Sequence, residues 1–159
     1  MDQIDRKILS VLQKDAALTV SEIGKTVGIS STPCWRRIQK MQENGVIRRN
    51  VALLDPQKVN AGVTVFISIR TSSHTVEWLR RFSEVVMDLP EVLEFYRMSG
   101  DVDYLLKVVI PDISSYDEFY RRLSTRIELD GAVPKFAMEQ IKVTTELPLE
   151  YTRKQNKAA

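Results

Sequence analysis

The stretch Thr19-Val20-Ser21-Glu22-Ile23-Gly24-Lys25-Thr26-Val27-Gly28-Ile29-Ser30-Ser31-Thr32-Pro33-Cys34-Trp35-Arg36-Arg37-Ile38-Gln39-Lys40-Met41 spells two short helices and the turn between them. Thr19 with Glu22 three residues on has the form of a capping box, which satisfies backbone donors left over at a helix start. Ile23 and Val27 make a narrow apolar edge, and Gly28 ends the helix by accepting the left-handed backbone of a tight turn. Ser31, Thr32 and Pro33 then open a second helix, since Ser and Thr are cap residues and proline suits a first turn. It extends to about Asn44 and stops at Gly45. Cys34, Ile38 and Met41 fall on one inward stripe, while Arg36, Arg37 and Lys40 lie off it and are expected to face water. Trp35 suits either an outward position or packing against a preceding helix. Helices of two or three turns do not persist alone, so they must pack on something.

Upstream, Ile4, Ile8, Val11 and Leu12 form one stripe of a helix over residues 2–13, with Asp2 and Asp5 in its first turn to complement the helix dipole. Downstream, residues 46–53 suggest an extended segment that ends at Asp55-Pro56. One helix followed by two more joined through a Gly-containing turn is the helix-turn-helix pattern, in which the last helix enters the major groove of DNA. Ser31 and Thr32 would then donate to phosphates or bases from the helix start, and Arg36, Arg37 and Lys40 would supply cations along it. Arg48 and Arg49 follow where a wing could grip the flanking backbone. The DNA-facing set is therefore Ser21, Ser31, Thr32, Pro33, Trp35, Arg36, Arg37, Lys40 and Arg48. A trihelical unit used only for protein contacts has the same pattern.

Charge separates the two halves. Residues 1–60 carry 10 Lys and Arg against 6 Asp and Glu, and residues 61–159 carry 13 against 15. A basic half is a candidate for a polyanion. One cysteine, Cys34, allows no internal disulfide, and one histidine, His74, leaves little for a zinc site or a Ser-His-Asp hydrolase. No apolar run approaches the roughly 20 residues of a membrane helix, and the first residues carry acid where a signal peptide would carry base, so a cytoplasmic location is expected.

The period changes after residue 60. Val63, Val65, Ile67 and Ile69 alternate as a strand over residues 62–71, and Trp78, Leu79, Phe82, Val85, Val86 and Leu89 mark a helix over 75–89. Strands follow over 92–98 and 104–110, parted by the turn residues Ser99 to Asp103. Ile113, Tyr116, Phe119, Tyr120, Leu123 and Ile127 mark another helix, and a last strand covers 133–143. This order is β-α-β-β-α-β, the ferredoxin-like arrangement, with both helices on one face of an antiparallel sheet. Phe66, Phe95 and Phe136 alternate with the inward positions and are expected on the open face, which invites a second sheet and hence a dimer. The fold class is α+β, with a helix-turn-helix domain and wing over 1–60, a ferredoxin-like domain over 61–150, and a flexible tail over 151–159.

The sequence resembles the Lrp/AsnC family, the leucine-responsive or feast/famine regulators. Five stretches carry the likeness over residues 2–147. They are Asp5-Arg6-Lys7-Ile8-Leu9 with Leu12-Gln13-Lys14-Asp15; Val27-Gly28-Ile29-Ser30-Ser31-Thr32-Pro33-Cys34; Gly45-Val46-Ile47; Ala52-Leu53-Leu54-Asp55-Pro56; and Ser99-Gly100-Asp101-Val102-Asp103-Tyr104-Leu105-Leu106-Lys107-Val108. The resemblance implies a transcription regulator, not an enzyme, with no metal or cofactor. It also implies a homodimer that assembles further, to an octamer, on a roughly palindromic operator in double-stranded DNA. A free amino acid would bind at the loop between the second and third strands, with Met98, Ser99, Gly100, Asp101, Val102, Asp103 and Tyr104 as its contacts. The chemistry suits a zwitterion: Gly100 permits close backbone approach, loop amides bind a carboxylate, and Asp101 or Asp103 pairs with an ammonium. The same aspartates could simply stabilise a hairpin turn. Arg97 stands where common members carry an aliphatic residue. The alternative is an amino-acid sensor or interaction scaffold that binds no DNA.

Overall fold

Reciprocal caps set the first two helices. Helix α1 spans Gln3–Lys14 and is preceded by Asp2, whose carboxylate accepts from the Asp5 N–H while the Asp5 carboxylate accepts from the Asp2 N–H, both at 2.9 Å. Asp2 and Asp5 thus form a capping box and do more than complement the dipole. Helix α2, Val20–Val27, is capped by Thr19, whose hydroxyl accepts from the Glu22 N–H at 3.3 Å while Glu22 accepts from the Thr19 N–H at 2.7 Å. Gly28 takes φ +81°, as the turn requires. Helix α3 spans Ser31–Glu43, and Ser30 before it makes no side-chain cap hydrogen bond. Ile8, Leu9, Ile23, Val27, Cys34, Ile38 and Met41 meet in one buried cluster, so each helix's apolar stripe closes on the other two.

The computed structural model describes residues 1–151, and the chain divides where sequence reading did not expect it. One unit comprises Met1–Leu53 and the chain from Lys142 onward; the other is Leu54–Ile141. The units part at Leu53/Leu54 and Ile141/Lys142, where the sequence suggests 60 and 150. Residues 48–55, where an extended segment is expected, carry no helix or strand, and Ile47 before them packs against the helical cluster. Beyond Ile141 the chain packs back on the first unit: Leu149 joins that cluster and Leu149–Tyr151 form a 3₁₀ turn. Of the expected tail only Tyr151 is described, and residues 152–159 lie outside the described residues.

The second unit follows the expected order: β1 Val63–Arg70, α4 Val76–Met87, β2 Val92–Arg97, β3 Tyr104–Ile110, α5 Ser115–Ser124 and β4 Gly131–Phe136. The last strand therefore stops seven residues short of Val143. All strand pairs are antiparallel and the sheet order is β2-β3-β1-β4. Val65, Ile67 and Ile69 of β1 and Tyr104, Leu106, Val108 and Ile110 of β3 are buried with Phe82, Val86, Phe119 and Leu123 of the helices.

Two of the three phenylalanines expected on the open face lie on the other side. Phe95 meets Phe82 edge-on with ring centroids 5.2 Å apart, and Phe136 meets Tyr116 at 5.6 Å. The register of β2 shifts between Val92 and Glu94. A bulge of this kind breaks strict alternation, so Val92 and Phe95 both reach the core. Phe136 pairs with Val65, and cross-strand partners share a face. Phe66 does lie on the open face, between Lys107 and Lys135 in the register.

Candidate nucleic-acid interface and effector loop

The exposed side of α3 is built by the same periodicity that buries Cys34, Ile38 and Met41. Ser31, Thr32, Pro33, Trp35, Arg36 and Lys40 are exposed, with Trp35 at 51%. Trp35 is therefore not packed away against α1. Ser30 supplies no side-chain cap hydrogen bond to the start of α3, and the exposed Arg36 and Lys40 follow on the same helix. Ser21 at the start of α2 and Arg48 beyond α3 are exposed as well. Burial raises the pKa of Cys34, which leaves it an inward-facing, protonated thiol.

Arg37 departs from the expectation. Its Nη1 lies 2.7 Å from Asp2 Oδ2 and 2.7 Å from Asp5 Oδ1. Its cation is spent inside the unit, joining α3 to the capping box of α1, and it does not project with Arg36 and Lys40. The hydrogen bonds that Arg37 donates to Asp2, and then to Asp5, raise its pKa. The Asp5 N–H, assisted by Arg37, holds the Asp2 carboxyl below its ordinary value.

In the second unit, the loop Ser99–Asp103 closes the β2–β3 hairpin. Gly100 takes φ +112°, a conformation that favours glycine, and a Cβ there would meet nothing within 4 Å. Backbone freedom, not crowding, is what the position requires. The Met98 N–H donates to the Asp103 carbonyl at 2.8 Å, and the Asp103 N–H donates to the Ile69 carbonyl at 2.9 Å. Asp103 is half-buried; its Oδ2 accepts from the Thr71 N–H at 2.9 Å and its Oδ1 lies 4.0 Å from His74 Nδ1. Asp101 is exposed, with Arg70 Nε donating to its carbonyl at 2.8 Å. The Asp130 carboxylate accepts from the Ser72 N–H. Ser99 and Met98 are exposed and Val102 is half-buried. Tyr104 is 3% exposed and sits among Trp78, Phe82 and Phe95, so its ring is core and only its backbone borders the loop.

Sequence reasoning missed Arg70, Thr71 and His74 beside this loop. No local spacing marks them, because they lie about 30 residues from the loop along the chain and meet it only at one end of the sheet. Among the described residues, no group of three or more His, Cys, Asp or Glu is placed to hold a metal ion, and no helix is long and apolar enough to cross a membrane.

A helix-turn-helix unit with a cationic helix face, joined to a ferredoxin-like domain with an exposed loop, defines a ligand-responsive DNA-binding regulator. Residues 1–48 match the winged helix-turn-helix DNA-binding family, and residues 64–147 match the Lrp/AsnC ligand binding domain. The chain belongs to the Lrp/AsnC family of transcriptional regulators and is not an enzyme. It is 46% identical to the DNA-binding transcriptional activator DecR of Escherichia coli K12 over 94% of this chain and 99% of that one. It is also 46% identical to the glutamate uptake regulatory protein of Zymomonas mobilis, over 96% of this chain and 93% of that one. Among solved structures, an AsnC family transcriptional regulator from Agrobacterium tumefaciens superposes with TM-score 0.94 at 67% identity, covering 96% of this chain and 100% of the other. A Neisseria meningitidis transcriptional regulator in complex with L-Met superposes with TM-score 0.90 at 34% identity, covering 94% and 97%.

Proposed function

We propose that this regulator binds a roughly palindromic operator through the exposed face of α3, and that a free amino acid at the Ser99–Asp103 loop sets its affinity for that operator. The observation that carries the reading is the pair of exposed cations Arg36 and Lys40 on α3, which have no ion-pair partner among the described residues, beside a helix start formed by Ser31 and Thr32. Ser21, Pro33, Trp35 and Arg48 complete the contact surface, and Arg37 supports it from behind. At the loop, Asp103 presents a half-buried carboxylate to an ammonium group, and the amides around Gly100 receive a carboxylate. Met98, Ser99, Asp101 and Val102 border the same space, with Tyr104 contributing backbone. The L-Met complex of the Neisseria regulator and the name of the Zymomonas regulator support an amino acid as the ligand class. Two copies joined through the open sheet face would place two α3 helices on successive major grooves. Dimers would assemble further, to an octamer, in the cytoplasm. The effector would shift operator affinity by a coupling of about 1–3 kcal/mol.

A gel shift on the upstream region of the protein's own gene tests the DNA face. Arg36→Ala and Lys40→Ala each weaken binding by about 1–3 kcal/mol while the circular dichroism spectrum stays that of the wild type. Wild-type affinity in both variants would place DNA on another surface.

A further inference from the structure

The chain returns to its first unit after completing the second, and the contact it makes there has no assigned role. Gln13, on α1, holds Leu147 by both ends of its carboxamide: Oε1 accepts from the Leu147 N–H at 2.7 Å and Nε2 donates to the Leu147 carbonyl at 3.2 Å. An extended peptide gripped in this way has one register on the helix, since a slip by one residue breaks both bonds. Two residues on, Leu149 packs against the helical core cluster. Between them Pro148 narrows the backbone's freedom. Along this line the polar stripe of α1, with Gln3, Arg6, Lys7, Ser10 and Gln13, faces residues 146–150 across a cleft of about 670 Å³.

We propose that residues 142–151 are a strap that seats α1 and thereby the recognition helix. The route is short and made of contacts already described. The strap fixes α1 through Gln13 and Leu149. The first turn of α1 carries Asp2 and Asp5, and these hold Arg37 of α3. A helix of 12 residues depends on such packing for its position, because helices of this length are marginal alone. The DNA-binding unit is then incomplete at its own connector near Leu53. It is finished only when the chain comes back from Ile141, so the second unit holds it by two covalent connections. This role does not depend on which ligand fills the Ser99–Asp103 loop.

Limited trypsin digestion and a gel shift on the full chain test the strap together. Lys142 is a cleavage site at its start. Gln13→Leu removes both hydrogen bonds at a surface position and keeps a good helix former. In that variant, cleavage after Lys142 accelerates about five- to tenfold and operator affinity falls by a similar factor, the scale expected for two lost hydrogen bonds. Gln13→Glu, which keeps an acceptor for the Leu147 N–H, gives an intermediate rate. Leu149→Ser goes the same way as Gln13→Leu; if it unfolds the helices, Gln13→Leu still carries the test. Wild-type protein cut after Lys142 as fast as Gln13→Leu would show that the strap is not seated. Faster cleavage with unchanged operator affinity would show that it is seated but gives α3 no support. Either result overturns the proposal.

Discussion

At the scale of single residues, the two sites are decided by which charges are already paired. Arg36, Arg37 and Lys40 look equivalent along the helix, yet Arg37 is 2.7 Å from each of two carboxylates. Replacing it therefore acts on stability before it acts on DNA. Arg37→Ala leaves Asp2 and Asp5 without their cation, and an urea melt reports a loss of about 1–2 kcal/mol, in the range for hydrogen bonds to charged groups. The Asp2 carboxyl, depressed from its ordinary 3.8, adds a pH dependence. A depressed carboxylate contributes stability that is present above its unfolded value and lost as pH falls through its folded one. Wild type thus loses stability on acidification below about pH 4, and Arg37→Ala loses less over the same window. At the loop, Asp103 has two tasks, one oxygen on the Thr71 N–H and the other toward His74. Asp103→Asn keeps an acceptor for the turn and removes the charge. Titration calorimetry with L-methionine, L-glutamate and L-leucine then shows binding lost or weakened at least about tenfold, as for loss of a charge-assisted contact. Wild-type affinity in this variant rejects the ammonium-binding role.

At the scale of elements, the tightest constraint is the approach of α2 to the turn that follows it. Gly24 is buried, and a Cβ there would lie 2.7 Å from the Ile29 carbonyl oxygen, a backbone atom that cannot step aside cheaply. Gly24→Ala forces α2 away from α3 and costs about 1–3 kcal/mol, the usual scale of overpacking. Thermal unfolding of the full chain measures it; an unchanged or higher midpoint contradicts the close packing. The turn at Gly28 is legible locally, whereas Gly24, a glycine inside a helix, gives no sign in the sequence of what its missing side chain would strike. The β2 bulge has the same character. Val92 to Met98 was legible as a strand from its apolar residues, but nothing local says that the register shifts at Val92/Glu94, and that shift carries Phe95 to the helix-covered face.

At the scale of the whole molecule, the sheet's open face is the feature a single chain leaves unfinished. Phe66 and Tyr96 are exposed there beside Val133, and the Glu94–Lys107 pair, 2.8 Å apart, crosses β2 and β3 on the same side. An apolar patch with one ordered ion pair suits a copy of itself across a two-fold axis. Phe66→Glu places a charge between Lys107 and Lys135 in the register without touching the core, and sedimentation reports a smaller assembly than wild type at equal concentration. An unchanged assembly size moves the interface elsewhere. The division of the chain belongs to this scale too. The first unit takes in the chain from Lys142 onward as well as Met1–Leu53, a return that no local pattern announces.

The three helices, the β-α-β-β-α-β order, the cap at Thr19, the left-handed turn at Gly28 and the outward row of Ser31, Thr32, Arg36 and Lys40 are all legible in the order of residues. Each rests on interactions within a few residues, where helix and strand periods and capping leave a local trace. Folding in three dimensions is what turns Arg37 to Asp2 and Asp5, sets Asp103 on the Thr71 N–H beside His74, faces Phe95 and Phe136 inward, and lets Gln13 grip Leu147. Most of these join residues more than 30 positions apart, and Phe95 turns on a bulge with no sequence mark. A side chain's periodicity says which way it leaves the backbone, and the partner it finds there depends on how distant segments pack.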